Sequence, residues 1–262
     1  MRFLSLVVVA VALCACINPD EGGFPEPAEG EGEGEGEGEG EGEGEGEGEG
    51  EGEGEGEAVP LAGFGAISGP CGYLDDELTG ALPTFGDNAI DFAADPYDDA
   101  DLLLLTAGGQ EMIADGNANA SSLLSEVFAF EVLARCEGAS LFKTETEVEY
   151  TVEQTKLTDL IIEIDAVRYG VSVVRSFVFP AGTALTPEEA TRRLEGKLDD
   201  ILVSSANVAA ADAWDKQLLA VIAADPAHVD ILRAAWDALD AETRADTVIY
   251  MTVTNGDDAF LN

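Results

Sequence analysis

The chain has 262 residues, with 54 acidic against 12 basic side chains and a formal net charge of −42. A field of that sign repels nucleic-acid phosphates and anionic lipid headgroups at ordinary salt, so a duplex-DNA binder working through surface charge is excluded. Hydrophobic residues make up 46% of the sequence, enough to build one sizeable core in the part of the chain that follows residue 57.

The N-terminus comes first. Arg2, the apolar run from Phe3 to Leu13 and a small residue at position 15 form an n-region, h-region and cut site, and the run is too short to span a bilayer. Residues 1–15 are therefore expected to be a signal peptide. The tetrad Leu13-Cys14-Ala15-Cys16 resembles the lipobox of bacterial lipoproteins. That resemblance implies that the Cys16 thiol takes a diacylglycerol and that its freed amine becomes the first residue of the mature protein, where a further acyl chain such as palmitate can follow. It also implies a cell-envelope protein, and Ile17 after the lipidated Cys points to the outer membrane. A plain secretory signal with incidental cysteines is the alternative.

From Glu29 to Glu57, Glu and Gly alternate strictly. A charge on every second residue with glycine between leaves nothing apolar to bury, so residues 16–70 are expected to be a lipidated N-terminus and disordered tether. The Glu-Gly stretch would average about 30 Å end to end, and repulsion between its carboxylates would extend it. Spaced carboxylates could also hold divalent ions loosely, although without a preformed cage. Residues 58–262 keep 36 acidic and 11 basic side chains, a net charge near −25.

Residues 71–262 are expected to form a single globular domain. Its two cysteines, Cys71 and Cys136, are most simply a disulfide in an oxidising envelope. A zinc site would need more ligands than these and the lone His228 provide, and a nucleophilic thiol would need a nearby His. Ser121 to Arg135 has the apolar spacing of an amphipathic helix. Phe142 to Tyr150 alternates as a half-exposed strand. Leu157 to Ile164 and Val167 to Phe179 are rich in β-branched residues and are predicted to form an antiparallel hairpin turning on Asp165 and Ala166. Thr186-Pro187-Glu188-Glu189 is a helix start, with the helix running to about Asp200. A short strand is then predicted at Ile201–Ser204, helices at Ala211–Ala224 and Pro226–Leu239, and a last strand at Thr247–Thr254. Trp214 and Trp236 fall in those two late helices, where packing against the sheet is expected.

The predicted fold class is α/β, a mixed sheet with flanking helices. Its αβββαβ core, from Ser121 to Ser204, resembles the restriction-endonuclease-like nucleases. In that family an Asp opens the second strand and an acid-x-Lys tripeptide lies on the third, so that two carboxylates hold a divalent metal. Asp159 matches the first position. Counting outward from a turn at Asp165 and Ala166 places Glu163 opposite Arg168 and Asp159 opposite Ser172. Ser172 and Val174 then stand where the acid and the Lys belong. A neutral Ser is a weak ligand for a hard cation and Val cannot orient water. A metal centre would need acids from elsewhere, Glu126 or Glu131 on the preceding helix. The whole chain also resembles uncharacterised Gram-negative lipoproteins with acidic tethers, a family with no assigned activity.

The remaining constellations are bland. The acidic stretch from Asp95 to Asp101 lacks the Gly and Glu of an EF-hand loop, and Asn255-Gly256-Asp257-Asp258 has the composition of a turn. No phosphate-binding loop or nucleophile elbow is present. The expectation is a membrane-anchored envelope lipoprotein with a non-catalytic binding or structural domain, no cofactor, the membrane and an envelope protein as partners, and no nucleic acid. A divalent-metal-dependent hydrolase with a rearranged acid set and a Ca²⁺-responsive adhesion module are the alternatives.

Overall fold

The computed structural model describes residues 58–261, apart from 73, 93–96, 119 and 179–182. The expected signal peptide, Cys16 and the Glu-Gly stretch expected to be a tether lie outside the described residues. In chain order the elements are β1 (Val59–Pro60), β2 (Gly65–Ser68), α1 (Asp76–Thr79), β3 (Thr84–Phe92), α2 (Ala107–Asp115), α3 (Leu123–Cys136), β4 (Ser140–Thr144), β5 (Leu160–Ile164), β6 (Val167–Ser176), α4 (Pro187–Asn207), β7 (Lys216–Ala223), α5 (Ala227–Ala238), α6 (Ala241–Arg244) and β8 (Val248–Asn255). Among the described residues no helix is long and apolar enough to cross a membrane.

The strands form one sheet in the order β1-β2-β3-β8-β7-β6-β5-β4. Its centre, β3, β8, β7 and β6, is parallel, and both wings are antiparallel. The mixed α/β class is as the sequence implies, and α3-β4-β5-β6-α4-β7 has the αβββαβ order. The alternation of side chains along a strand divides the core into two layers. Leu218, Ala220 and Ile222 of β7 join Val127, Phe128, Phe130 and Leu133 of α3 on one face. On the other, Leu219, Val221 and Ala223 meet Leu194 and Leu198 of α4 and Leu232 and Trp236 of α5. Phe128 is the centre of the first layer, with ring centroids of Phe64, Phe92, Tyr97 and Phe260 at 6.0, 5.6, 5.6 and 5.1 Å, all edge-on.

The predicted hairpin turns where expected. Ile164 pairs with Val167 and Glu163 with Arg168. Asp165 and Ala166 both have positive φ, 51° and 65°, as a two-residue type I′ turn requires. The helix at Ser121–Arg135, the helix at Pro226–Leu239 and the last strand match α3, α5 and β8 within about two residues at each end. Cys71 and Cys136 are bonded, with sulfurs 2.08 Å apart, so the loop before α1 is tied to the end of α3.

Four expectations need correction. The helix at Ala211–Ala224 is instead a turn followed by β7, whose eight residues are all buried. A central parallel strand covered on both faces has no polar alternation, and its continuous apolar run reads locally like a buried helix. Trp214 accordingly sits in the turn before β7 and not in a helix. The strand at Ile201–Ser204 is the last part of α4, because Ala190, Leu194, Leu198 and Ile201 recur on one helical face and are buried together.

The strand expected through Tyr150 ends at Thr144, where Thr144 and Glu147 form a reciprocal capping box around a 3₁₀ turn at Glu145–Glu147. The domain also starts earlier than Cys71, since β1 and β2 pair onto the sheet edge. Finally, β3 carries no clear strand pattern because Gly86, Asp87 and Asn88 interrupt it. Asn88 is buried but satisfied, donating to the Tyr250 hydroxyl at 3.0 Å and accepting from Thr252 Oγ1 at 2.8 Å.

Candidate functional site

The start of β5, the middle of β6 and the first turns of α3 place the sequence-predicted acids. Leu160 pairs with Val171, and Asp159, one residue before the paired strand, donates its N–H to the Val171 carbonyl at 3.0 Å. There the Asp159 carboxylate accepts the Val173 backbone N–H at 2.5 Å. Burial pushes its pKa up to about 6, against the opposing pull of that hydrogen bond and of Lys197 on α4, with the Glu145 charge adding to the rise. Ser172 Oγ is taken by Gln217 Nε2 at 3.4 Å, and Val174 packs against the α4–α5 layer.

Glu126 is 4% exposed on α3 and accepts from Asn117 Nδ2 at 2.7 Å. Its pKa is raised to about 7, first by burial and then by the charge of Asp159; hydrogen bonds from Ser122 and Asn117 oppose the rise and Glu145 adds to it. The fold thus brings Glu126 into the electrostatic range of Asp159. Glu145 arrives from the end of β4 and is fixed by the Ala118 N–H at 2.9 Å. A Glu126 pKa of about 7 leaves that carboxyl partly protonated at neutral pH.

Glu131 goes elsewhere. Five residues further along α3 is about 140° further around the helix. Its side chain accepts from Thr106 N at 2.8 Å and Thr106 Oγ1 at 2.6 Å and pairs with Arg135 at 2.8 Å. It therefore holds the start of α2 and does not join Asp159.

The loops considered for Ca²⁺ use their acids in turns. Asp98 accepts from Ala100 N at 2.7 Å and its own N–H is bonded to Asp101 Oδ2 at 3.1 Å. Asp258 accepts from Thr254 Oγ1 at 2.6 Å; Asp95 lies outside the described residues. Among the described residues, Glu111, Asp115 and Glu147 have carboxylate oxygens within 4.8 Å of one another, all on exposed side chains. They did not figure among the sequence candidates because they come from α2 and from the turn after β4. His228 is buried in α5 with Nδ1 2.9 Å from the Ser176 carbonyl oxygen. Ser176 Oγ lies 3.0 Å from the same nitrogen, so Ser176 holds the ring in place within the core.

Glu137 escaped sequence reasoning. It follows α3 and accepts from Gly72 N at 3.1 Å, Leu74 N at 3.0 Å and the Tyr250 hydroxyl at 2.9 Å. It is an anchor for the loop that the Cys71–Cys136 disulfide also holds.

No protein-family model matches the chain. It is 37% identical over 164 residues to the AAC-rich mRNA clone AAC4 protein of Dictyostelium discoideum, covering 60% of this chain and 24% of that protein. The chain therefore spans about a quarter of the length of that relative. Among solved structures, Pyrococcus furiosus SfsA in complex with Ca²⁺ is similar over 51% of this chain and 56% of that one, at 15% identity and a TM-score of 0.23.

Proposed function

We propose that the protein is a lipid-anchored envelope protein, held to the membrane through Cys16, whose domain serves as a binding or structural module and not as a catalyst. The observation that supports this most is the β5–β6 register. The paired register ends at Leu160 and Val171; just before it Asp159 donates its N–H to the Val171 carbonyl and its carboxylate accepts the Val173 N–H, while Ser172 is bonded to Gln217. A hard divalent cation needs several ionised oxygens to replace its waters, whereas the neighbouring Glu126 carboxyl, its pKa raised to about 7, is only partly ionised at neutral pH. The acidity of the chain supports the same reading by keeping polyanionic substrates away.

The test has two arms. The full chain should leave single- and double-stranded DNA and RNA intact in Mg²⁺ or Mn²⁺, and metal-dependent cleavage abolished by Asp159→Ala would overturn the non-catalytic reading. Cys16→Ser should lose its diacylglycerol mass and move to the aqueous phase of a detergent extraction; equal membrane retention would show the anchor to be wrong. A metal-dependent hydrolase with a rearranged acid set is the second reading, favoured by the proximity of Glu126 and Asp159. It requires Mg²⁺ or Mn²⁺ to raise the melting temperature in wild type and not in Glu126→Gln.

A further inference from the structure

Away from the carboxyls, between the last turns of α4 and the N-terminal ends of β7 and β8, lies a cavity of about 240 Å³. Its walls include Ser205 and Val208 at the end of α4, Trp214 and Gln217 at the start of β7, and Asp246 just before β8. Three independent features of these walls have no role in the fold core.

The first is the floor. Indole atom Cε2 of Trp214 would lie 2.7 Å from a Cβ at Gly170, so the ring rests on the backbone of β6 in space that only a glycine leaves open. Trp214 Nε1 donates to Ser205 Oγ at 3.2 Å, which fixes the plane of the ring. The half-buried indole is a preset aromatic wall.

The second is an unanswered acceptor. Gln217 is 3% exposed, and its Nε2 donates to Thr158 Oγ1 at 3.1 Å. Thr158 Oγ1 spends its own proton on the Val171 carbonyl at 3.0 Å, so it can only accept from Gln217 and the amide cannot be turned round. The Gln217 Oε1 is then left buried with no partner among the described residues, beside Trp214 on Gly170. A buried acceptor without a donor is costly, and Gln217 is among the residues that line the cavity.

The third is the sign of the field. Asp215 and Asp246 are both in the lining, and α4 ends there with no basic residue in its last turn, so the negative end of its dipole is uncompensated. The cation of the lining, Lys216, sends its ammonium away to the carbonyls of Glu77, Gly80 and Leu82 at 2.6, 2.7 and 3.2 Å. Lys216 still feels the charge of Asp246 and offsets part of it, so the excess negative field comes from Asp215 and the end of α4 together with Asp246.

From these features we infer that the cavity is a binding site for a small organic ammonium ion, held over the Trp214 indole by cation–π attraction and by the carboxylate of Asp246. An aromatic wall distinguishes an alkylated ammonium from a hydrated metal ion, which keeps its waters and gains little from an indole. The negative field distinguishes it from a neutral polyol.

Isothermal titration calorimetry of the full chain with choline chloride at constant ionic strength tests the inference, with glucose and CaCl₂ as parallel titrants. Choline should give a saturable heat with a dissociation constant of about 1 mM. Trp214→Leu should abolish it, and the exposed substitution Asp246→Asn should weaken it several-fold, with both variants checked for wild-type circular dichroism and melting. Raising the salt should weaken choline binding in wild type and less so in Asp246→Asn. Unsaturable choline heats, binding indifferent to Asp246→Asn, or saturation by glucose or Ca²⁺ in place of choline would each overturn it. Asp246→Asn keeps the test decisive even if Trp214→Leu fails to fold.

Discussion

Glu126→Gln keeps an acceptor for the Asn117 amide, 2.7 Å away, while removing the carboxyl that binds a proton. The carboxyl of Glu126 titrates at about 7 in the folded chain against an ordinary 4.5, chiefly because burial and then Asp159 disfavour its charge. The folded state therefore holds more protons than the unfolded state between those two values. Stability must fall as pH rises through that window, being undiminished below it and fully reduced above it. The gap corresponds to roughly 3 kcal/mol for an unrelaxed site, and coupling to the Asp159 carboxyl, itself raised to about 6, makes this a property of the group more than of one residue.

The Gln variant has no charge to desolvate, so it should be more stable than wild type by about 2 kcal/mol at about pH 8. The difference should close toward zero at about pH 3, where the wild-type carboxyl is neutral in both states. Urea denaturation followed by circular dichroism, with the disulfide intact and slopes compared to confirm two-state behaviour, measures the difference directly. A wild-type-to-variant difference that is the same at both ends of the range would refute the assignment of a raised Glu126 pKa.

Two further outcomes follow from the loop that precedes α1. Reducing the Cys71–Cys136 bond, which closes 65 residues of chain, should cost about 4 kcal/mol in the chain-entropy treatment and lower the melting temperature; identical melts with and without reductant would contradict it. Glu137→Ala strands the Gly72 and Leu74 N–H groups and the Tyr250 hydroxyl, and should cost about 3 kcal/mol in urea, with a loss under about 1 kcal/mol showing that solvent replaces the carboxylate freely.

Much of the fold was legible because it is written in local chemistry. Thr186 followed by Pro187 sets the start of α4, with the Thr186 hydroxyl accepting the Glu189 N–H at 3.3 Å. The two β-branched runs around Asp165 and Ala166 set a register that the hairpin adopts from Ile164 and Val167 to Leu160 and Val171, one pair short of Asp159. The helix angle between Glu126 and Glu131 was also in the sequence: five residues place them on different faces of α3, so only one could reach β5.

What the sequence by itself determined, then, is each element whose pattern is set by its own neighbours: the hairpin and its register, α3, α5, β8 and the start of α4. Tertiary structure decided the rest, because the deciding contacts come from distant residues. Lys216–Ala223 is a strand only since layers on both sides bury all of it, and Ile201–Ser204 stays helical only since Ile201 completes a buried face with Leu194 and Leu198. Burial, with neighbouring carboxylate charge added, raises Glu126 and Asp159, which the fold brings together from α3 and the start of β5. The cavity beside Trp214 needs Gly170, Gln217 and Asp246, residues with no shared sequence signal that become neighbours when β6, β7 and β8 align in parallel. Periodicity records what one segment offers, and only packing records which offers are taken up.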